Sequence, residues 1–125
     1  NWGPDVRLTN NSAASELSSV KALGLNVHVA WHDERNGNKE VYYKRSSDGG
    51  VSWGPDTRLS FSVTGAGFPS LSNSSFGLFV FWADSRNINQ EIYYKFSTDN
   101  GVNWSNELRL TNDSGFSTLP EDWRR

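Results

Sequence analysis

The chain has 125 residues, of which 35% are hydrophobic and 14% aromatic, so its composition is that of a globular domain and excludes a disordered chain. Twelve Lys and Arg against 14 Asp and Glu give a net charge of −2, without the basic excess of nucleic-acid-binding proteins. No apolar run approaches the roughly 20 residues that span a bilayer, and the absence of cysteine excludes disulfides and thiolate metal sites.

The sequence repeats itself with a period of 51 residues. Tryptophans mark the period at three positions: Trp2, Trp53 and Trp104. The stretches 31–53 and 82–104 are identical at 14 of 23 positions without a gap. Because repeats of this length bury their apolar faces against one another, we expect stacked units of one partial domain, 1–125. Its parts are the end of one repeat and the start of the next (1–23), a full repeat (24–74), and a repeat with the start of another (75–125).

Each repeat is predicted to contain four short strands. In chain order, the first strand is predicted at Leu17–Leu23 and again at Phe68–Asn73. The second is predicted at Val27–Trp31 and Leu78–Trp82, which are short runs rich in β-branched and aromatic residues. The later run is almost wholly apolar, which a sheet covered on both faces permits.

The other two strands follow in the same order in each repeat. The third is predicted at Glu40–Ser46 and Glu91–Ser97, after the turn-rich stretches 33–38 and 84–89. The fourth is a short extended segment centred on the Arg-Leu pairs at 7–8, 58–59 and 109–110. No stretch has a helical period. This pattern predicts an all-β fold of four-stranded antiparallel sheets that form β-propeller blades, about two and a half per chain.

A hairpin motif, Ser-x-Asp-x-Gly-x-x-Trp, follows the third strand in both repeats. Its residues are Ser46, Asp48, Gly50 and Trp53 in one copy and Ser97, Asp99, Gly101 and Trp104 in the next. An aspartate in a tight turn accepts backbone N–H groups, and glycine adopts the positive φ of such turns. The tryptophan offers a large apolar ring that packs between sheets. Turn chemistry accounts for every residue of the motif, which we therefore interpret as structural.

The pattern Trp-x-Asp-x-Arg, Glu-Val/Ile-Tyr-Tyr-Lys and the hairpin motif together resemble the Asp-box (bacterial neuraminidase) repeat of sialidase-like β-propellers over essentially the whole chain. The resemblance implies that the hairpin joins the third and fourth strands of a blade, on the face opposite the active site. Asp48 and Asp99 are therefore not expected to be catalytic. It also implies a secreted or cell-surface protein that binds carbohydrate, although no targeting segment is recognisable in the sequence.

A second polar unit follows the second strand of each repeat. It reads Asp33-x-Arg35-Asn36-x-Asn38 and, 51 residues later, Asp84-x-Arg86-Asn87-x-Asn89. In sialidase-like propellers this end of the blade binds ligands, and arginines there grip a carboxylate by paired hydrogen bonds. The unit therefore supplies four candidate ligand-binding residues: Asp33, Arg35, Asp84 and Arg86. The alternative is that each Asp–Arg pair braces its own loop or one blade against the next, which its presence in both repeats favours.

A complete catalytic site is not expected in this chain. The resemblance implies a sialidase site of three arginines, a Tyr–Glu pair and an acidic Asp drawn from several blades, and the Arg-Ile-Pro motif of the first blade is absent. Nearly every polar candidate here is repeated, whereas catalytic residues of that kind are unique. No cofactor or metal is predicted, because the acidic stretch Asp33–Lys44 lacks the glycine and final glutamate of a calcium loop. His28 and His32 are expected to be core or loop residues.

Two blades and part of a third do not close a ring, because closed propellers need about four to eight. We expect the ring to be completed by oligomerisation or by further blades of a longer chain. A head-to-tail trimer would supply six blades, with 1–9 and 114–125 as contacts between chains. Three functions stay open: a non-catalytic module that binds a glycan or another surface ligand, a fragment of a sialidase-like glycoside hydrolase whose catalytic residues lie outside it, and a scaffold without a ligand.

Overall fold

The computed structural model describes residues 2–112, apart from the side chains of Leu17 and Ser18, as two four-stranded antiparallel sheets. The first sheet comprises β1 (Ser15–Leu23), β2 (Asn26–Asp33), β3 (Glu40–Ser46) and β4 (Thr57–Arg58). The second comprises β5 (Ala66–Asn73), β6 (Leu78–Asn87), β7 (Asn89–Ser97) and β8 (Leu108–Arg109). The strands of each sheet lie in chain order. No helix is present in this range, and the predicted all-β fold is confirmed.

The pair Arg7-Leu8 lies outside any strand, so the predicted strand segment at 7–8 is wrong. The two later Arg-Leu pairs lie beside the third strand of their own sheet, β3 or β7. Within the described residues, no such strand precedes Arg7. The carbonyl of Leu8 instead accepts a hydrogen bond from Nζ of Lys44 at 2.5 Å, and its side chain packs against the cluster that contains Trp31. The segment is therefore attached to the first sheet by side chains. The predicted contact segment 114–125 lies outside the described residues.

The turn between the second and third strands differs between the two repeats. In the first repeat it is a turn outside the strands, closed by a hydrogen bond from the N–H of Gly37 to the carbonyl of Glu34 at 2.9 Å, with Gly37 at φ +95°. In the second, Asn87 pairs with Asn89, so the strands continue through most of the stretch 84–89 that was predicted as turn. The hairpin then reverses at Ile88, which has φ +75° and is 97% exposed. A β-branched residue in this conformation is strained, so cross-strand pairing prevails here over local preference.

A bulge interrupts the first strand of each sheet at the same repeat position. It lies between Glu16 and Ser19 in β1 and between Gly67 and Ser70 in β5. Bulges bend a strand and redirect its side chains. In β5 the bulge contains Phe68 at φ +56°, an uncommon conformation for a bulky residue. The bulge therefore places an aromatic ring at the end of the sheet where β5 begins.

The core lies between the two sheets. Four side chains from the first sheet and its following loop meet six from the second: Ala30, Val41, Tyr43 and Leu59 with Ala66, Leu71, Leu78, Val80, Trp82 and Tyr93. Trp82 is fully buried, and a buried aromatic side chain of this size dominates the energy of such a core. The backbone N–H of Leu71 also donates to Oγ of Ser19 at 3.1 Å, which links β5 to β1. The sheets are thus packed face to face.

A search of residues 2–112 for a helix long and apolar enough to cross a membrane finds none.

Candidate functional site

The two hairpin motifs close the same end of their sheets with the same hydrogen bonds. In the first hairpin, Gly50 N–H donates to Oγ of Ser46 at 2.8 Å, and Ser52 N–H donates to Oδ1 of Asp48 at 2.9 Å. The second hairpin repeats both bonds at the same distances, 51 residues later. Each motif lies between the third and fourth strands of its sheet. The motif aspartates are therefore held by donors of their own hairpins.

These hydrogen bonds lower the pKa of both motif aspartates to about 2. The hydroxyl of Ser52 is the main cause for Asp48, and the backbone N–H of Asn103 is the main cause for Asp99. Both side chains are thus anions at neutral pH, and donors within the hairpin occupy their oxygens. A protonated carboxyl group for acid catalysis is not available at these positions near pH 7.

Acidification is expected to loosen both hairpins between about pH 4 and pH 2. Because the folded pKa values of Asp48 and Asp99 lie below the ordinary value of 3.8, the stabilisation is complete above about pH 4 and is lost as the pH falls through about 2. The double variant Asp48→Asn, Asp99→Asn should lose less of its melting temperature over this range than the wild type. Circular dichroism at stepped pH measures this, with Asp5→Asn as the control. An unchanged slope would contradict the assignment.

The four candidate ligand-binding residues lie at the opposite end of the sheets, and each arginine is bound to its own aspartate. Nη2 of Arg35 donates to Oδ2 of Asp33 at 2.8 Å and to Oδ2 of Asp56 at 3.0 Å. Oδ2 of Asp33 also accepts the indole N–H of Trp31 at 3.0 Å, and the guanidinium of Arg35 lies 4.0 Å above the ring of Tyr42. Asp33 is fully buried. The unit ties the β2–β3 loop to the segment before β4.

The second repeat has the same arrangement, but its arginine binds both oxygens of a second carboxylate, that of Glu107. Arg86 donates to both oxygens of Asp84, at 2.9 and 2.7 Å, and to both oxygens of Glu107, at 3.1 and 2.8 Å. Burial alone would raise the pKa of Asp84, but hydrogen bonds from Arg86 and Trp82 outweigh it and hold that pKa below its ordinary value. Glu107 also accepts the backbone N–H of Phe61 at 2.9 Å, so this cluster links the second sheet to the loop that leaves the first.

Glu40 is a buried carboxyl group whose pKa is raised. Desolvation by burial is the largest cause, and hydrogen bonds from Ser60 and Ser62 oppose it. A carboxyl group with a raised pKa is often a general acid. Glu40, however, is 1% exposed, bonds to Ser60 at 2.5 Å and Arg58 at 3.2 Å, and lines none of the clefts described below. Its position is that of a core residue which anchors the chain after β4.

A polar cleft of about 320 Å³ lies between the sheets at the loop end, where β2 leads into β3. Its lining includes one acid, one base, two amides, a hydroxyl and an aromatic ring: Glu34, Lys39, Asn38, Gln90, Thr64 and Phe68. The ring of Phe68 is 52% exposed. Oε1 of Gln90 is buried and has no hydrogen-bond partner among residues 2–112. We call this the loop-end cleft.

His32 supports the wall of the loop-end cleft from below. Its Nδ1 accepts the backbone N–H of Phe68 at 3.1 Å, which places the ring hydrogen of the neutral form on Nε2. Burial, followed by the charge of Lys39, lowers the pKa of His32, so the ring is neutral at pH 7. A Cβ atom at Gly67 would lie 2.7 Å from Nδ1, so only glycine fits beside this ring. The histidine therefore holds the bulge that carries Phe68.

Apart from Asn38, which belongs to the repeated polar unit, sequence reasoning missed the residues of the loop-end cleft because it followed positions that repeat. Much of the cleft is built where the repeats differ: Glu34 aligns with Ser85, Lys39 with Gln90, and His32 with Ala83. Glu16 in the first repeat aligns with Gly67 in the second. These differences are a usable signal, because positions that keep the fold are retained in both repeats while a ligand site between two sheets needs unlike residues.

A second cleft, of about 440 Å³, lies between the sheets at the hairpin end. Aromatic, hydroxyl and basic side chains line it: Tyr43, Arg45, Ser47, Ser52, Trp53 and Thr57. Gly101 and Val102 of the second hairpin form its far wall. We call this the hairpin-end cleft.

Over the described part of the chain, no three His, Asp or Glu side chains converge to hold a metal ion.

The fold and these clefts define an all-β protein of two like antiparallel sheets with a polar cleft between them at each end. No protein-family model matches the chain, and no curated protein matches it. It is similar to a solved structure, that of a "putative glycoside hydrolase from Bacteroides ovatus ATCC 8483", with a TM-score of 0.57 and 15% sequence identity. The match covers 78% of this chain and 30% of that one. At this identity the likeness concerns the fold alone.

Proposed function

We propose that the chain is a non-catalytic, sialidase-like β-propeller module in which each sheet is one blade. Two four-stranded sheets with strands in chain order, packed face to face and related by 51 residues, support this assignment. The likeness in fold to the Bacteroides structure agrees with it. In this proposal the motif residues have structural roles, because their hydrogen bonds remain within the hairpins: Ser46, Asp48, Gly50, Trp53, Ser97, Asp99, Gly101 and Trp104.

The module binds a glycan in the loop-end cleft. The observation that carries this proposal is the exposed ring of Phe68 beside amide, hydroxyl and charged groups. A sugar presents an apolar face and hydroxyl groups, which an aromatic ring and a few placed polar groups match.

Arg35 and Arg86 brace the loops in this proposal and do not grip the ligand. The carboxylates of Asp33 and Asp84 are buried, and each takes hydrogen bonds from its arginine and from a tryptophan. An arginine that releases its aspartate to bind a ligand would leave a buried charge unpaired, which is strongly unfavourable. The alternative, in which these four residues bind the ligand, predicts loss of binding without loss of stability.

Phe68→Ala and Lys39→Ala are expected to weaken glycan binding at least about tenfold while the melting temperature stays within a few degrees. The first substitution removes the aromatic surface on which a sugar would stack, and the second removes a hydrogen-bond donor from the cleft wall. Titration calorimetry against a panel of neutral and sialylated oligosaccharides measures the binding. Arg45→Ala, in the hairpin-end cleft, is the matched control for the neutral members of the panel.

Other outcomes would favour a different function. If Arg35→Ala and Arg86→Ala lost glycan binding with unchanged stability, the binding site would be assigned to the Asp–Arg units. No binding of any glycan would favour a scaffold. Hydrolysis of a fluorogenic sialoside by the purified chain would overturn the non-catalytic assignment and favour the glycoside hydrolase fragment.

The proposal includes a ring completed by further copies of the chain. The side of the second sheet that faces away from the first carries an aromatic group in which Phe76 lies 6.3 Å from Phe79 and 5.6 Å from Phe96. Phe76 is 62% exposed, and on the outer side of the first sheet Val20 is 60% exposed. Exposed apolar surface of this kind is typical of a protein interface. Three copies would supply six blades, and a stable monomer in light scattering at micromolar concentration would contradict the assembly.

A further inference from the structure

The guanidinium group of Arg45 differs from those of the other arginines in residues 2–112. Each of the other five donates a side-chain hydrogen bond to a carboxylate or carbonyl oxygen: Arg7, Arg35, Arg58, Arg86 and Arg109. Within the same range no hydrogen bond or ion pair holds the guanidinium of Arg45, which lines the hairpin-end cleft. Five N–H donors are thus available at one wall of a cleft of about 440 Å³.

No carboxylate lines this cleft, so the positive charge is not neutralised there. The acids beside the lining residues in the sequence are Asp48, Asp56 and Asp99. Asp56 pairs with Arg35 at 3.0 Å and with Lys44 at 2.9 Å. Asp48 and Asp99 are anions, and their oxygens accept donors of their own hairpins, from Ser46 and Ser52 in the first and from the equivalent positions in the second. The charge of Arg45 reaches His28, whose pKa is lowered by burial and, next, by Arg45. The lining of the cleft itself thus carries one positive charge and no negative one, and the guanidinium is its partner for an anionic group.

The walls of the cleft offer more than charge. Tyr43 and Trp53 contribute aromatic rings, and the second hairpin contributes Val102, which is 57% exposed. Three hydroxyl side chains lie on the same lining: Ser47, Ser52 and Thr57. A planar guanidinium binds a carboxylate or sulfate through two parallel hydrogen bonds, and rings and hydroxyls suit the body of a sugar. The combination matches a sugar ring that bears an acidic group.

Arg45 also departs from the repeat. Its equivalent 51 residues later is Phe96, and Thr57 aligns with Leu108, whereas the neighbouring Tyr43 and Trp53 are retained as Tyr94 and Trp104. The retained residues build the fold in both repeats. The cation and a hydroxyl are present in the first repeat alone, so the fold does not require them at this position.

We propose that the hairpin-end cleft binds an acidic sugar unit, with the guanidinium of Arg45 paired to its carboxylate or sulfate and its ring against Trp53. This site lies at the opposite end of the sheets from the loop-end cleft and requires an acidic group on its sugar. It does not depend on glycan binding at Phe68.

The test measures binding of a uronate-containing oligosaccharide, its carboxyl-reduced neutral counterpart and a sulfated oligosaccharide to the full chain by titration calorimetry. The wild type should bind one or both acidic sugars at least about tenfold more tightly than the neutral one, and this difference should shrink as ionic strength rises. Arg45→Phe, which installs the residue that the second repeat already has, should weaken that binding by at least about tenfold. Arg45→Lys should retain part of it, because lysine keeps the charge and loses the paired geometry.

Two controls make the result decisive. The melting temperature of Arg45→Phe should equal that of the wild type, and Arg45→Ala replaces it if Phe disturbs the fold. Arg7→Ala, which removes an exposed arginine outside both clefts, should bind the acidic sugars as the wild type does, which separates the role of Arg45 from a general loss of positive charge. The proposal would be overturned if Arg45→Phe and Arg45→Ala bound the acidic sugars as tightly as the wild type. It would also be overturned if the wild type bound neither acidic sugar at millimolar concentration. Binding of an acidic peptide as tightly as the acidic sugar would overturn the ligand class.

Discussion

Replacing Arg86 with alanine is expected to destabilise the fold by about 3 kcal/mol or more, because it leaves the fully buried carboxylate of Asp84 without its cation. The side chain of Arg86 is 22% exposed, which places the cost at the low end of the range for buried pairs. The total stability of a domain is about 5–15 kcal/mol, so this single change removes a large part of it. Urea unfolding followed by tryptophan fluorescence measures the loss.

The controls separate the buried pair from a general effect of losing an arginine. Arg7→Ala removes an exposed side chain that bonds to a backbone carbonyl, and it should change the free energy of unfolding by less than about 0.5 kcal/mol. Arg86→Lys keeps the charge without the fork that reaches both Asp84 and Glu107, and it should recover only part of the stability. A cost for Arg86→Ala no larger than that of Arg7→Ala would contradict the bracing role.

Gly101→Ala is expected to be much more destabilising than Gly50→Ala, although the two glycines occupy the same motif position. Both have positive φ, +85° and +94°, so both variants strain the backbone by about 1–2 kcal/mol. A Cβ at Gly101 would also overlap the hydroxyl group of Tyr43, whereas a Cβ at Gly50 would have its nearest neighbour, on Trp53, at 3.7 Å. Overpacking of this kind adds about 1–3 kcal/mol.

The additional loss of stability in Gly101→Ala comes from displacing the side chain of Tyr43. The hydroxyl of Tyr43 lies 2.6 Å from Nδ1 of His28, and its ring meets that of Trp104 edge-on at 4.9 Å. To admit a methyl group, Tyr43 has to move away from both. Thermal unfolding of the two variants gives the comparison, and Tyr43→Phe combined with Gly101→Ala should recover part of the loss. Equal melting temperatures for the two alanine variants would show that the sheets are not packed as described.

The strands were predictable from the sequence because each leaves a local signal that occurs twice. Val27–Trp31 and Glu40–Ser46 lie within or match β2 and β3, and their counterparts 51 residues later do the same in the second sheet. Strand-forming runs and glycine-containing turns are local properties of the chain. The pair Arg7-Leu8 carries the same signal as its two equivalents but has no strand beside it, and pairing is not a local property.

The candidate site was less predictable because it depends on contacts between the sheets. The sequence could not distinguish whether Arg86 faces a ligand or Glu107, which is 21 residues away. The same holds for the bulge that turns Phe68 outwards, which depends on His32 in the other sheet. Sequence spacing indicates which residues share a strand, whereas the packing of one sheet on another decides which polar groups are occupied and which are available.

The order of the strands has a consequence for how the protein folds. Since β1 to β4 and β5 to β8 each pair only with their neighbours along the chain, no paired residues of the strands lie more than 19 positions apart, the separation of Val27 and Ser46. All-β proteins fold slowly when their strands pair over long separations, because closing large loops is entropically costly. Here each sheet is complete within one repeat, and only packing against its neighbour, as between Leu71 and Ser19, spans about 50 residues. Refolding should therefore be faster than that of a Greek-key sandwich of equal length.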